Sequence, residues 1–279
     1  MGFIEDKVDL INKYKKNLTN SYEKDGVILI KDVLLDSIIE DVRNEYDKLD
    51  RTLTNQEILF DEPLIVFWKH VAGEQKRIAS FKDFPALWVL INEHIIPVIL
   101  NAIPKTKRLQ LLETIIFNKP AKISNVLNWH QDVSYFPLKP NNQIAVWIPF
   151  EMVTAERGAM NYAIGTHKKG AMGSINLHTR EKFENEDREL IPEDPAAEGY
   201  EVRCMEMSPN DVLIHDGYIW HYSCANTVEG YTRKGLSVRF ITDEAAFDPR
   251  PGQGAAFTKQ IKIEPGEVVK GAPFPTLYG

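Results

Sequence analysis

"DVLIHDGYIWHYSCANTVEGYTRKGLSVRFIT" (residues 211–242) consists of short apolar runs separated by turn residues. "VLIH", "IWHYSC" and "GLSVRFI" are too short to be helices, and Asp216-Gly217 and the polar stretch from Asn226 to Gly230 break them apart. The same rhythm begins near residue 109. "LQLLETIIF", "QIAVWIPF", "AMNYAIG" and "EVRCMEM" are further runs of this kind, each bounded by turn formers. Short strands repeated at this spacing describe a β-sandwich or barrel.

The residues upstream have a different pattern. Residues 3–24 are charged, with apolar positions at helical spacing. "GVILIKDVL" (26–34) reads as a strand, and "DSIIEDVRNEYDKLD" (36–50) keeps Ile38, Ile39, Val42 and Tyr46 on one helical face. More helix is expected across 75–103, and residues 244–279, with "DPRPGQG", "EPGE" and "GAPFPTLYG", form a loop-rich tail over the barrel. The expectation is one α+β domain: helical support over roughly 1–108, barrel core over 109–243, tail over 244–279.

Composition narrows the classes of function. A formal net charge of −7 argues against a generic nucleic-acid surface. Two cysteines in 279 residues suit a reducing compartment, and a chain of this size can bury a core without disulfides. The most apolar stretch, "LWVLINEHIIPVIL" (87–100), is interrupted by Glu93, His94 and Pro97, which fits a buried helix better than a membrane span. No basic-then-apolar leader opens the sequence, and Asp6 stands where a myristoylation motif wants Ser or Thr. A cytoplasmic protein with no membrane or nucleic-acid partner is expected, its oligomeric state left open.

The chemistry-bearing residues start with "NWHQDVSYFP" (128–137), where His130 and Asp132 lie two positions apart. With seven histidines and 40 acidic residues, chance supplies roughly one His-x-Asp/Glu, so the pair alone is weak. A third candidate ligand, His221, follows an apolar strand, with Ser223 on the same face two residues later. A polar turn then leads to Arg233, and a hairpin would return it to the neighbourhood of His221. Two neutral imidazoles and one carboxylate on one face of a metal make the facial triad of non-haem Fe(II) oxygenases, although the same donors also suit Zn2+. His215, six residues before His221, competes for the third position.

These residues resemble the phytanoyl-CoA dioxygenase-like family of Fe(II)/2-oxoglutarate-dependent oxygenases. The shared pattern is a His-x-Asp, a distal His and an Arg about a dozen residues later, here His130-Gln131-Asp132, His221 and Arg233. "YEKDGVILIKDVL", "ETIIFNKP", "AVWIPFEMVTAERGAMNYAIGTHKKG" and "EPGEVVKGAPFP" extend the resemblance over nearly the whole chain. It implies a double-stranded β-helix (a jelly-roll, cupin-like barrel) with flanking N-terminal helices, and Fe(II), 2-oxoglutarate and O2 as the reacting partners. His130, Asp132 and His221 become the implied metal ligands, with His221 preferred to His215 because Ser, Asn and Arg follow it in family order. Arg233 would fork the distal carboxylate of 2-oxoglutarate, geometry a lysine cannot match, with Ser223 beside it. Gln131, Trp147, Thr114, Lys76 and Arg77 are further cosubstrate candidates, and Arg239 is a fallback anchor.

Tyr135, Phe136 and His167 are the candidate substrate contacts, although a turn or capping role also suits His167 and ordinary core packing suits the aromatics. The expected reaction is hydroxylation of a C–H bond of a small molecule, with release of succinate and CO2. An intact Asp132 favours that outcome, because related halogenases lack this carboxylate. Desaturation or cyclisation on the same scaffold, a cupin-like metalloenzyme without 2-oxoglutarate and an inactive binding protein are the alternatives. The segment "NLHTREKFENEDRELIPEDPAAEGYE" (176–201) carries nine acidic residues, a poor face for a polyanionic acyl-CoA. An amino acid, phosphonate or specialised metabolite is therefore the favoured substrate class.

Overall fold

The computed structural model describes residues 17–52, 64–69, 75–122, 126–249 and 263–279. The long sheet is built from β1 (Val27–Ile30), β2 (Leu64–Lys69), β3 (Gln75–Ser80), β4 (Leu109–Pro120), β7 (Gln143–Pro149), β10 (Val212–Asp216) and β12 (Thr232–Ile241). Its order is β1-β10-β7-β12-β4-β2-β3, with β14 (Thr276–Tyr278) also paired to β4. The facing sheet runs β5-β11-β8-β9, from β5 (Leu127–His130), β11 (His221–Ser223), β8 (Met160–Ala163) and β9 (Val202–Met205). A two-stranded piece pairs β6 (Leu138–Lys139) with β13 (Ala246–Phe247). The two curled sheets, antiparallel except where β2 runs parallel to β4, form a double-stranded β-helix.

Alternation along the strands separates two cores. On β7 every residue is buried, because both faces are covered. Ile144, Val146 and Ile148 join Val212, Ile214, Leu236, Val238 and Phe240 on the outer face of the long sheet. Helices cover that face: α1 (17–25), α2 (Asp36–Thr52), α3 (Pro85–Val89) and α4 (Ile96–Ala102). Ile38, Ile39, Val42 and Tyr46 of α2 are all buried there, the stripe that the spacing predicts. The opposite face turns inward, where Val27, Trp147 and Leu213 meet Ala159 and Tyr162 from the facing sheet.

The stretch 85–102 is apolar enough to cross a membrane by length and composition, yet Leu87, Leu90, Ile91, Ile95 and Ile99 are fully buried against the sheet. Both carboxylate oxygens of Glu45 on α2 cap its start, accepting from the amides of Ala86 and Leu87 at 2.7 and 3.0 Å. Between α3 and α4 the helix widens to a π-turn over Leu90–Ile95. Pro97 follows directly; it has no N–H to return to the preceding turn, and the widened turn accommodates that loss.

The N-terminal part departs from the expected pattern at one place. Residues 75–80 form a strand, hairpinned to β2 in the register Leu64↔Ser80 through Lys69↔Gln75. Helix begins only at Phe81, where the side chain of Ser80 caps the first turn. The N-terminal part is thus more than helical support, since it adds β1, β2 and β3 to the long sheet. The tail also contributes structure. Val269 and Phe274 are buried with Leu112, Phe136, Leu138 and Ile241, and β14 extends the sheet beyond β4.

Candidate active site

β5 and β11 are neighbours in the facing sheet, and their register sets His130 directly opposite His221. The two imidazole centroids are 4.1 Å apart. Asp132 opens the 3-10 turn that follows β5, so a single residue, Gln131, separates the strand's last side chain from the carboxylate. The ligand atoms of His130, Asp132 and His221 lie within 4.8 Å of one another, and all three residues are buried. Each imidazole is oriented by the backbone. Nδ1 of His130 bonds to the Asn128 carbonyl at 2.7 Å and Nδ1 of His221 to the Ile219 carbonyl at 3.0 Å. Nδ1 is therefore the protonated nitrogen on both rings, and the Nε2 lone pairs converge with Asp132. Burial lowers both imidazole pKa values, His221 well below the ordinary range with His130 adding to the effect. Neutral imidazoles and an ionised carboxylate are the donor set that a divalent iron site requires.

Burial alone would raise the pKa of Asp132, but Arg239 and His215 overcome it and hold the group well below the carboxylate range. Arg239 Nη2 donates to Oδ1 at 2.8 Å, while Nη1 binds Glu113 at 3.1 Å. His215 Nε2 meets Oδ2 at 3.1 Å, and its Nδ1 lies 3.1 Å from the hydroxyl of Tyr162. Both proposed alternatives are thereby explained. His215 contacts the carboxylate from β10 and is not in the triad, and Arg239 is committed to two carboxylates, which leaves no free fork for a cosubstrate. Arg239, the fallback anchor, lines the same pocket as Arg233, but its two Nη atoms are taken by Asp132 and by Glu113, which stands opposite it in the β12–β4 register.

Arg233 and Ser223 border a pocket shared with His130, His221, Trp147 and Ser237. Arg233 is 2% exposed, and its Nη1 donates to the Gly158 carbonyl at 2.8 Å. The guanidinium carbon lies 5.3 Å from the centre of the Trp147 ring. Its Nε is buried with no partner among the described residues, and no carboxylate offsets its charge. Burial pulls the guanidinium down to about 10, an uncommon setting for an arginine. Gly158 adopts φ +78°, and a Cβ there would lie 2.8 Å from the Cys224 carbonyl, so glycine at this position lets the loop lie close against the Cys224–Ala225 backbone.

Other expected contacts lie elsewhere. Gln131 is fully buried with its amide used by the loops: Nε2 donates to the carbonyls of Gly170 and Tyr218, and Oε1 accepts from Met172 N. It braces the ligand strand, because its neighbours His130 and Asp132 take the pocket side of an extended chain. Thr114 pairs with Val238 and Ile65, both in the core beneath the helices, so it faces away from the pocket. Phe136 is a core residue beneath Arg239, whose guanidinium carbon is 5.6 Å from its ring centre. His167 packs half-buried against Gly26 at the end of α1 and is not among the residues bordering the pocket at the triad. Tyr135 stays at the site, edge-on to His130 at 6.0 Å, with its hydroxyl on the Ile175 carbonyl. Lys76 and Arg77 fall on β3, but their side chains lie outside the described residues.

Sequence reasoning missed Glu113, Lys119, Tyr162 and the supporting role of His215. A signal for two of them exists: alternation along β4 puts Glu113, Ile115, Phe117 and Lys119 on one face, so two charges point into an otherwise apolar interior.

The sequence profile of the phytanoyl-CoA dioxygenase family matches residues 22–235, a span that holds all three ligands and Arg233. The chain belongs to this family. It is accordingly a non-haem Fe(II)- and 2-oxoglutarate-dependent oxygenase that uses O2. Human peroxisomal phytanoyl-CoA dioxygenase is 25% identical over 234 residues, covering 81% of this chain and 68% of that protein. A probable phytanoyl-CoA dioxygenase of Caenorhabditis elegans is also 25% identical, with 80% and 74% covered. Among solved structures, the epimerase SnoN in complex with Fe3+, α-ketoglutarate and nogalamycin RO superposes with a TM-score of 0.72 at 17% identity, covering 95% and 99% of the two chains. The α-ketoglutarate-dependent carbocyclase SnoK from nogalamycin biosynthesis gives 0.69 at 20% identity, covering 94% and 95%. These two likenesses concern the fold.

Proposed function

We propose that this family member hydroxylates a C–H bond of a small, compact molecule, with His130, Asp132 and His221 holding Fe(II) and Arg233 holding the distal carboxylate of 2-oxoglutarate. The observation that carries the cosubstrate assignment is the buried Arg233, paired with no carboxylate among the described residues, beside an intact His-Asp-His cluster. A buried guanidinium without a counter-charge is costly, and an incoming carboxylate relieves that cost with bidentate geometry. Ser223 stands beside it as a hydroxyl donor, and Trp147 closes the wall. Bound Fe(II) with 2-oxoglutarate supplies O2 activation coupled to decarboxylation of the cosubstrate to succinate and CO2. The protein's own part is positional. Asn128 and Ile219 carbonyls fix the imidazoles, Arg239 and His215 keep Asp132 ionised, and Tyr135 packs edge-on against His130.

The acidic segment supports a small substrate over an acyl-CoA. Asn128, two residues before the first ligand, donates to the carbonyls of Leu177 and His178, and Phe183 lies edge-on to Tyr135 at 6.4 Å. The segment therefore sits beside the metal centre, where its carboxylates repel a polyanionic nucleotide carrier. The two related folds act within nogalamycin biosynthesis, which fits a specialised metabolite. We also place the protein in the cytoplasm, a reading supported by the free thiols of Cys204 and Cys224.

The test is Fe(II)-dependent succinate formation from 2-oxoglutarate, screened with amino acids, phosphonates, aromatic polyketides and acyl-CoA thioesters. Stimulation by a small metabolite, with a product 16 Da heavier, is expected. Stimulation by acyl-CoA alone would reject the substrate class, and a chlorinated product would reject hydroxylation.

A further inference from the structure

β12 and β4 pair so that Arg233 lies directly across from Lys119. Both side chains take the inward face. Lys119 is fully buried, and among the described residues no carboxylate pairs with it. Its Nζ is 2.8 Å from Ser223 Oγ and also contacts the carbonyls of Ser223 and Cys224. Burial pulls its pKa well below the lysine range, and the Arg233 charge lowers it further. Two buried cations side by side mark a place that expects an anion.

Lys119 is not itself among the residues that border the pocket, whereas Ser223 is. The link between them is one of hydrogen-bond direction. Three oxygens surround Lys119 Nζ, two of them carbonyls that can only accept, a setting that favours the ammonium form against the effect of burial. An ammonium has three donors and no lone pair, so the Ser223 hydroxyl then accepts from it. The hydroxyl proton must then point elsewhere, and the pocket wall beside Arg233 is where Ser223 opens. A carboxylate there meets a donor. Were Lys119 absent, the hydroxyl could turn to donate to a neighbouring carbonyl, presenting its lone pairs to the anion instead.

We infer that Lys119 is a positioning residue for cosubstrate binding: it holds Ser223 Oγ as an acceptor and thereby aims the hydroxyl proton at the distal carboxylate of 2-oxoglutarate. The inference rests on the reading of the Arg233 pocket as the 2-oxoglutarate site. A competing role is purely structural. β11 shifts register between His221 and Ser223, and Lys119 could merely pin that irregularity and so hold the metal ligand.

Calorimetric titration of the Mn(II)-loaded protein with 2-oxoglutarate separates these roles without turnover. Lys119→Met is expected to weaken 2-oxoglutarate binding by about tenfold or more, with Mn(II) affinity unchanged. Lys119→Gln retains an N–H donor without the charge and should recover most of the loss; it also carries the test should the Met variant fail to fold. Ser223→Ala should weaken binding to a similar extent, and adding Lys119→Met to it should produce little further loss, because both changes remove the same hydrogen bond. Unchanged 2-oxoglutarate affinity in Lys119→Met would overturn the inference. So would additive losses in the double variant, equal losses in the Gln and Met variants, or a fall in Mn(II) affinity parallel to that for 2-oxoglutarate. Absence of 2-oxoglutarate binding in the unaltered protein would reject the pocket reading itself.

Discussion

Arg233 and Arg239 share a strand and a face but have different environments. Arg239 is neutralised by Asp132 and Glu113, whereas Arg233 donates to a carbonyl beside an aromatic ring and has no carboxylate partner among the described residues. Arg233→Ala should weaken 2-oxoglutarate binding by roughly 30-fold to several thousand-fold, the usual consequence of losing about 2–5 kcal/mol from a desolvated charge pair. Its iron content should not change, and Arg233→Lys should fall between. Arg239→Ala should instead strike the metal centre. Leaving buried Asp132 and Glu113 without their partner costs about 3–5 kcal/mol, visible as a lower unfolding midpoint and weaker iron binding. A loss of 2-oxoglutarate affinity in Arg239→Ala with iron retention intact would reverse the two roles. Arg233 was legible through the family pattern of an arginine about a dozen residues after the distal histidine. The hairpin expected between them is not formed, because β11 lies in the facing sheet and β12 in the long sheet, so the turn after Ser223 crosses from one sheet to the other. The duty of Arg239 depends on long-range register between β4 and β12, which one sequence does not reveal.

At the scale of elements, β12 and β7 come together where Gly235 faces Trp147. A Cβ on Gly235 would lie 2.5 Å from the indole Cζ2, so the glycine is there for space, letting the ring lie flat along the pocket wall. Gly235→Ala should cost about 1–3 kcal/mol by overpacking and should weaken 2-oxoglutarate binding as the ring shifts; a denaturant midpoint and a cosubstrate titration would show both. Undisturbed values for both would mean that Trp147 is free to move. The acidic segment permits a prediction about pH. Burial alone would raise the carboxyl of Glu186, yet Arg188 and both donors of Ser174 bring it down to about 2 from its ordinary 4.5. A pKa depressed in the fold stabilises it fully above pH 4.5, and that stabilisation is lost as pH falls from there towards 2. Hydrogen-exchange protection across residues 172–190, corrected for the intrinsic pH dependence of amide exchange, should fall over that window, and Glu186→Gln should remove the acid dependence. Protection insensitive to pH there would show the bond network to be absent. These elements also show where sequence patterning fails. "QKRIAS" alternates too weakly to reveal a strand, because its identity comes from pairing with β2. The tail reads as loop, yet its Val269 and Phe274 close a separate apolar cluster with Leu112, Phe136 and Ile241.

The molecule as a whole places three chemistries at successive levels inside one barrel. The facing sheet supplies the histidines, the long sheet supplies the groups that keep Asp132 ionised, and the deeper level of the β4–β12 pair supplies the cations. A sandwich or barrel was legible from the rhythm of short strands, which is local spacing, whereas its double-stranded β-helix form and the choice of His221 beside His-x-Asp came from the family resemblance. Placement of Gln131, Thr114, Phe136 and His167 was not legible, because each depends on which face of a strand or turn meets the interior. The central claim is that His130, Asp132 and His221 hold a single Fe(II), with His215 supporting the carboxylate from outside the triad. The direct measurement is anaerobic Fe(II) binding stoichiometry for the unaltered protein, His221→Ala and His215→Ala, each checked for folding by circular dichroism. One Fe(II) per chain is predicted for the unaltered protein, none for His221→Ala, and one with weakened affinity for His215→Ala. Stoichiometric iron in His221→Ala together with its loss in His215→Ala would contradict the assignment.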